Sequence, residues 1–302
     1  MIHSDTTFSP LRSGPVQRRL QSPPAKRKFL AVAPAPFLLG GEYQLSSDID
    51  GGSSFSRAVA RTRISAPLFL GEDTIVGLSA GYQYESFQFD DLAPEPWNEI
   101  HRTRLGLVAK QDLANGWSWI ALPWIGSNRE SGADWGESFT YGGIGAAWYR
   151  VSDTLSLGLG AGFSTQLEDD SSVFPIVVID WKFAENWTLS TLPPEGFRIG
   201  PGVSLRWDTR DDLSLSLIYQ YQSDQQRLDE NSATALDGIG ELRQQRIALA
   251  ATYKVNDNLS LTGHAGFTFG GQIELQDSSG DTLSERDFDS SLVFGLEGSW
   301  RF

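Results

Sequence analysis

Charged side chains that could line a polar channel alternate along three consecutive segments of the sequence. They are Arg57, Arg61 and Arg63 in the first segment, Glu85 in the second, and Arg102 and Arg104 in the third. Every second side chain of a β-strand points to the same face, so each set shares one face. A guanidinium group is permanently charged and binds carboxylates and phosphates. A wall with five arginines around one glutamate could therefore select anionic solutes, as charged rings do in pores.

The turn at residues 71–74 decides how the first two segments pair. If it sets the register, Arg61 lies near Gln83, and Glu85 comes close to the arginines of the third segment. A structural role is the competing interpretation, because cross-strand pairs of opposite charge stabilise a sheet. Other inward candidates have mixed signs and lie toward the opposite strand ends, which favours the structural role. They are Lys110, Asp180, Lys182, Arg206, Glu297 and Arg301.

The elements that must position these residues are strands joined by alternating short and long links. Turns built on Asp or Asn precede apolar alternation, as in VSDTLSLGLG, TRDDLSLSLI and KVNDNLSLTG. Asp and Asn favour tight turns, and a period of two indicates strands. Longer polar links fall between these turns, among them SSDIDGGSS, DDLAPEPWNE, DQQRLDENSATALDGIGE and IELQDSSGDTLSERDFD. About fourteen strands result, or about twelve if a short ninth segment merges with its neighbour.

One face of these strands is too polar to fill the core of a soluble barrel. In the segment 155–164, the large apolar residues share one side, and Ser and Gly share the other. The apolar side must therefore meet lipid. We expect an all-β protein, a transmembrane antiparallel up-and-down β-barrel of the bacterial outer membrane. The small inward residues favour an open lumen.

Aromatic side chains are predicted to anchor this barrel at the two membrane interfaces. Amphipathic rings cluster beside the short turns and toward the long links, as they do in the girdles of outer-membrane barrels. The predicted anchors are Trp148, Trp181, Trp187, Trp207, Tyr219, Tyr221, Trp300 and Phe302. The last strand, SSLVFGLEGSWRF, ends on an aromatic residue. It resembles the signal that the barrel assembly machinery of the outer membrane recognises.

The order of hairpins resembles a family of bacterial outer-membrane β-barrels, a domain of unknown function of the 6268 type. Asp and Asn turns followed by LSL, the segment FAENWTLSTLPPEG and the closing GLEGSWRF carry the resemblance, which covers residues 38–302. These motifs are structural and carry no chemistry. The similarity to porin-like families implies a transport role by analogy of fold.

Residues 1–37 differ from the predicted barrel at 38–302. They are rich in Pro, Ser and Arg and show no period, and KRKFLAVA resembles a degenerate secretory signal with a small-residue cleavage site. A disordered arm is the competing interpretation. The same segment could also plug the lumen.

Catalysis, metal binding and nucleic-acid binding are not expected. The chain has no cysteine, no GxSxG element and only His3, His101 and His264 as histidines. The net charge of −14 argues against nucleic acid, and the acidic loops lack the spacing of a calcium loop. We therefore predict no catalytic residue, no metal and no cofactor. The expected partners are outer-membrane lipid, lipopolysaccharide and the barrel assembly machinery.

The most direct functional hypothesis is a porin-like channel for passive passage of small polar solutes. A non-conducting structural or surface-binding barrel is the main alternative, and an outer-membrane hydrolase is a remote one. A plugged lumen would count against the channel.

Overall fold

The computed structural model describes residues 37–168, 171–191 and 201–301, which form a closed antiparallel β-barrel. The strands are β1 (Phe37–Ile49), β2 (Ser53–Leu70), β3 (Thr74–Asp90), β4 (Glu99–Asp112), β5 (Trp117–Glu130), β6 (Phe139–Arg150), β7 (Leu155–Ser164), β8 (Ser172–Ala184), β9 (Trp187–Ser190), β10 (Gly202–Arg210), β11 (Leu213–Arg227), β12 (Ile239–Lys254), β13 (Leu259–Gln276), β14 (Thr282–Phe288) and β15 (Ser291–Trp300). A single 3-10 turn at Gly136–Ser138 precedes β6. No helix among the described residues is long and apolar enough to cross a membrane.

The strands occupy fourteen positions in the ring because β14 and β15 share one. β15 pairs with residues 259–268 of β13, and β14 pairs with residues 271–276. β15 also pairs with β1 from Phe37 to Gln44, which closes the ring. The prediction of an all-β antiparallel barrel with about fourteen strands is confirmed.

The seam between the first and last strands is short. Beyond Gln44, β1 meets β14 only where Ile49 faces Phe288. Two serine hydroxyls bridge the interval, since Ser47 donates to the carbonyl of Asp289 and Ser291 donates to the carbonyl of Leu45. Side chains therefore replace part of the backbone ladder at this point.

The strands extend further toward the long links than the sequence analysis predicted. β1 and β2 leave only residues 50–52 between them, where Gly51 and Gly52 adopt φ values of 105° and 87° that suit glycine. The predicted link IELQDSSGDTLSERDFD is largely a hairpin of β13 and β14. In the hairpin of β13 and β14 the apolar Ile273 and Leu275 are buried, so this extension lacks the outward apolar alternation that marks the rest of each strand.

The alternation along each strand separates two surfaces. In β7, Leu157 and Leu159 point outward and are exposed, whereas Ser156 points inward and is buried. The outward apolar side chains form a band around the barrel. We call the end with the tight turns the turn end and the opposite end the loop end.

Candidate functional site

Inward side chains of β1 to β5 stack in layers, because residues paired across neighbouring strands face the lumen at the same level. From the loop end toward the turn end, the layers are Phe55 with Phe89; Gln44, Arg57 and Phe87; Glu42, Val59, Glu85, Ile100 and Glu130; Arg61, Gln83, Arg102 and Asn128; and Arg63, Gly81, Arg104 and Gly126. All six charged residues predicted to form the cluster thus lie on one wall of the lumen. Arg61 pairs directly with Gln83, although the strands leave the turn with Leu70 opposite Ile75. A bulge between Pro67 and Phe69 shifts the register by one residue before Arg61 is reached.

Glu85 joins two of these arginines. Its Oε2 lies 3.0 Å from Nε of Arg57, and its Oε1 lies 2.5 Å from Nε of Arg102. All three side chains are buried. Arg102 also reaches β11, where its Nη1 donates to the carbonyl of Gln225 over 3.1 Å and its Nη2 donates to Oε1 of Gln226 over 2.8 Å. The wall that carries the cluster is therefore tied to the opposite side of the lumen.

Carboxylates other than Glu85 also lie on the wall that carries the arginine cluster. The sequence analysis placed Glu85 alone among these arginines. Glu297 accepts a hydrogen bond from Nε of Arg61 at 3.1 Å. Glu42 lies 2.5 Å from Arg246 and 3.1 Å from His264. The picture of five arginines around one glutamate is thus wrong, because ring closure brings acidic side chains of β1 and β15 to the same wall.

Cavities interrupt the packing of the lumen between the described strands. One, of about 140 Å³, is lined by Arg61, Arg63, Arg102 and Arg104 together with Gly81, Gln83, Glu297 and five further residues. Another, of about 10 Å³, lies among Glu42, Arg57, Arg246 and their neighbours. That is about the space one water molecule needs, so the lumen is nearly filled at this level.

An apolar cap occupies the loop end of the lumen. It consists of Ile49, Phe55, Phe87, Phe89, Trp97, Ile100, Leu228, Ala235, Leu242, Ile273, Leu275 and Phe288. Trp97, in the link at 91–98, is 1% exposed and meets Phe87 and Phe89 edge-on, with ring centroids 5.6 and 6.1 Å apart. The expectation of an open lumen is therefore wrong at this end.

Hydrogen bonds hold the two links of the cap together. The carboxylate of Glu130 accepts from the backbone N–H of Asn98 at 2.9 Å and of Asp229 at 3.0 Å. The hydroxyl of Thr234 donates to the carbonyl of Pro96 over 3.2 Å. Glu130 therefore ties the link at 91–98 to the link at 228–238. The sequence offered one signal for this cap, a lone Trp in an otherwise polar loop.

Most predicted anchors lie on the outer surface of the barrel. Near the turn end, Trp181 packs against Phe183 with centroids 5.5 Å apart, and Trp187 stacks on Trp207 at 5.5 Å with the rings 3° from parallel. Tyr219 and Tyr221 are exposed toward the loop end, and Trp300 is exposed at the end of β15. Phe302 lies outside the described residues.

Trp148 is a wrong prediction among the anchors. It is 2% exposed and points into the lumen, opposite Gly158. Its neighbour Tyr149 takes the outward position and packs on Trp117. Alternation allows only one of two adjacent aromatic residues to face outward, and the small Gly158 makes room for the indole inside.

His101 lies on the outward face near the loop end. Its Nδ1 is 2.7 Å from the hydroxyl of Tyr82, and its Nε2 is 2.9 Å from the hydroxyl of Ser131. Ser131 donates to Oε2 of Glu99 over 3.2 Å. A serine nucleophile would donate its proton to the histidine instead. The arrangement is that of a surface hydrogen-bond network.

The closed ring, the outward apolar band and the polar lumen define the class of the protein, because this is the fold of bacterial outer-membrane β-barrels. The Pseudomonas putida toluene transporter TodX shares it with a TM-score of 0.52 and 10% identity, over 88% of this chain and 89% of that chain. An outer membrane channel from Pseudomonas putida F1 gives a TM-score of 0.47 with 8% identity, over 87% and 95% of the two chains. A Pseudomonas aeruginosa FadL homologue gives 0.44 with 11% identity, over 88% and 89%.

The family follows from the sequence itself. Residues 69–300 match the family described as Domain of unknown function (DUF6268), and the chain belongs to it. The resemblance drawn from the hairpin motifs is confirmed. No curated protein sequence matches the chain significantly.

Proposed function

We propose that this barrel is an outer-membrane channel for small polar solutes that rests closed, with the apolar cap as its gate. The observation that carries the proposal is the position of the arginine-lined cavity, which begins one layer below Ile100 of the cap on the same wall. A barrel used only as a scaffold needs no cavity lined with charged groups. A polar solute inside the membrane needs such a lining, because burying a charge without partners is costly.

The cap is suited to act as a gate because two links contribute to it and the single carboxylate of Glu130 bonds to both. A hydrogen bond to a charged group contributes about 1.5–3 kcal/mol. Loss of both bonds to Glu130 should therefore shift the closed-to-open ratio at least tenfold, since 1.4 kcal/mol corresponds to a factor of ten. Loop segments also open more readily than strand cores.

A non-conducting structural barrel is the second candidate. The bonds from Arg102 to the backbone and side chains of β11 favour it, because they cross the lumen and brace the two walls. In that case the ion pairs would serve the wall alone, and loosening the cap would create no path for solutes.

Conductance of the purified chain in planar lipid bilayers separates the two candidates. Wild type is expected to open rarely, and Glu130→Ala and Trp97→Ala are expected to raise the open probability at least tenfold. Glu99→Ala is the matched control, because Glu99 lies at the same end but bonds outward to Tyr84 and Ser131. If folded wild type and both cap variants show no current steps at any voltage, the channel proposal fails and the structural candidate stands.

The location and partners belong to the same proposal. An outward apolar band fits lipid and lipopolysaccharide, and β15 with its aromatic end fits recognition by the barrel assembly machinery. Membrane fractionation should find the chain in the outer membrane. Deletion of Phe302 should reduce the amount of folded barrel there, as measured by heat-modified mobility on gels.

A further inference from the structure

We infer that Arg61, Arg63, Arg102 and Arg104 form a luminal binding site for a small tetrahedral oxyanion, a phosphate or sulfate group. The inference rests on the proposed channel for the route by which the anion arrives. The site itself rests on the geometry of β2, β3 and β4.

The backbone places the four arginines at the corners of a rectangle. Arg61 and Arg102 flank Gln83, and one layer nearer the turn end Arg63 and Arg104 flank Gly81. Neighbouring strands lie about 4.8 Å apart and inward residues of one strand about 6.8 Å apart. The Cα atoms therefore enclose roughly 10 by 7 Å, an area that guanidinium groups can span to contact one ion.

Gly81 keeps the centre of this rectangle empty. A Cβ built there would meet only the backbone carbonyl of Thr62, at 3.7 Å, and no luminal side chain. The cavity of about 140 Å³ is lined by Gly81 and by all four arginines. Any larger residue at position 81 would project into the space that the anion needs.

The charge of the lining is strongly positive. Four guanidinium groups and one carboxylate, Glu297, line the cavity. Outside the lining, Glu85 is shared between Arg57 and Arg102, and Asp224 lies 4.0 Å from Arg102. Both reduce the positive charge, but the arginines of this wall still outnumber the neighbouring carboxylates. Guanidinium groups present paired N–H donors that match the oxygen spacing of phosphate and sulfate.

Several of the arginines are held in place before any anion arrives. The Nε atoms of Arg61 and Arg102 are fixed by Glu297 and Glu85, at 3.1 and 2.5 Å. The guanidinium carbon of Arg104 lies 4.1 Å from the ring centre of Trp124. Ordering donors in advance lowers the entropic cost of binding. The stacked ring also supplies a fluorescent reporter in contact with Arg104.

The test is isothermal titration calorimetry of the full chain in detergent micelles with inorganic phosphate, sulfate, acetate and glycerol 3-phosphate. Wild type is expected to bind phosphate and sulfate at least tenfold more tightly than acetate. Equal binding of glycerol 3-phosphate would extend the site to organic phosphates, and its failure would restrict the site to the free ion. Equal binding of acetate would overturn the preference for a tetrahedral oxyanion.

Variants locate the binding. Arg63→Ser with Arg104→Ser should weaken phosphate binding at least tenfold, and Gly81→Leu should abolish it while every positive charge remains. The matched control is Arg206→Ser with Arg210→Ser, which removes two exposed arginines paired with Asp208 and Asp212. Phosphate should change the tryptophan fluorescence of wild type but not of Trp124→Phe.

The outcomes separate this site from the channel. Absence of phosphate and sulfate binding by wild type, or equal weakening by the two arginine double variants, would overturn the site. If Arg63→Ser with Arg104→Ser fails to fold, Gly81→Leu still tests the site. Unchanged phosphate binding by folded Gly81→Leu would also overturn the proposed site. Phosphate binding in micelles does not require conduction. Phosphate binding without current in bilayers would therefore support the anion site and contradict the channel. Current without phosphate binding would support the channel and contradict the anion site.

Discussion

Glu85 offers the sharpest test of whether the luminal ion pairs stabilise the barrel wall. Replacement by Gln keeps the size and removes the charge. Arg57 and Arg102 then remain together in the lumen at 4% and 5% exposure, without the carboxylate that lay 3.0 and 2.5 Å from their Nε atoms. Two buried like charges lose their shared counter-ion.

The magnitude follows from burial. Removing one partner of a buried ion pair costs about 3–5 kcal/mol. Arg102 keeps its hydrogen bonds to Gln225 and Gln226 and its contact with Asp224 at 4.0 Å. We therefore expect the lower part of that range, about 3 kcal/mol. The matched control is Glu297→Gln, because Glu297 pairs with Arg61, whose side chain is 16% exposed. That loss should be near 1.5 kcal/mol.

The assay is urea unfolding of the barrel refolded into lipid vesicles, followed by tryptophan fluorescence and extrapolated linearly to water. Combining Glu85→Gln with Arg57→Gln should recover part of the loss, because one of the stranded charges is gone. The reasoning fails if Glu85→Gln costs less than about 1 kcal/mol or less than Glu297→Gln.

Three further predictions concern the wall and the links. Trp148→Ala should cost about 3–5 kcal/mol in the same unfolding assay, whereas Trp207→Ala, which loses a stacked and exposed ring, should cost about 1 kcal/mol; equal losses would contradict the inward placement. Gly158→Leu should prevent folding, because a Cβ there lies 2.5 Å from Cβ of Trp148, and a normal heat-modified gel band would refute this. Asp237 raises the pKa of the Glu137 carboxyl above its usual value, so the contact between their links is strongest at low pH and weakens as the pH rises through that pKa. Protease cleavage of the links should therefore increase as the pH rises above the usual titration range of a glutamate, and Glu137→Gln should remove the dependence.

The wall of the barrel was predictable because local rules determine it. Asp and Asn turns and period-two alternation locate each hairpin, and a tight turn fixes the register of the strands it joins. The charged face of β2 to β4 could be placed from this alternation. The exact pairing of Arg61 with Gln83 could not, because a bulge between Pro67 and Phe69 shifts the register that the turn sets by one residue.

The rest depends on contacts between distant parts of the chain. Glu42 meets Arg246 and His264 only because the ring closes, and no turn joins β1 to β12 or β13. Alternation around residue 42 could have shown that Glu42 points inward, but not which charges it meets. The cap could not be predicted for a related reason. Trp97 packs against strands that are distant in the sequence, whereas the polar residues beside it in the link are typical of a solvated loop.

The short seam between β1 and β15 has a consequence for how the ring ruptures. The two strands lie at opposite ends of the described chain, so their pairing closes the largest loop and is expected to form late in folding. Past Gln44 the two edges are joined by two serine hydroxyls and by the facing pair Ile49 and Phe288, whose neighbours form two backbone hydrogen bonds. Under mechanical load or in denaturant, the first and last strands would separate first at this seam, starting from its loop end. Phe288 also belongs to the cap. Opening of the seam would therefore disrupt the packing of the cap at the same time.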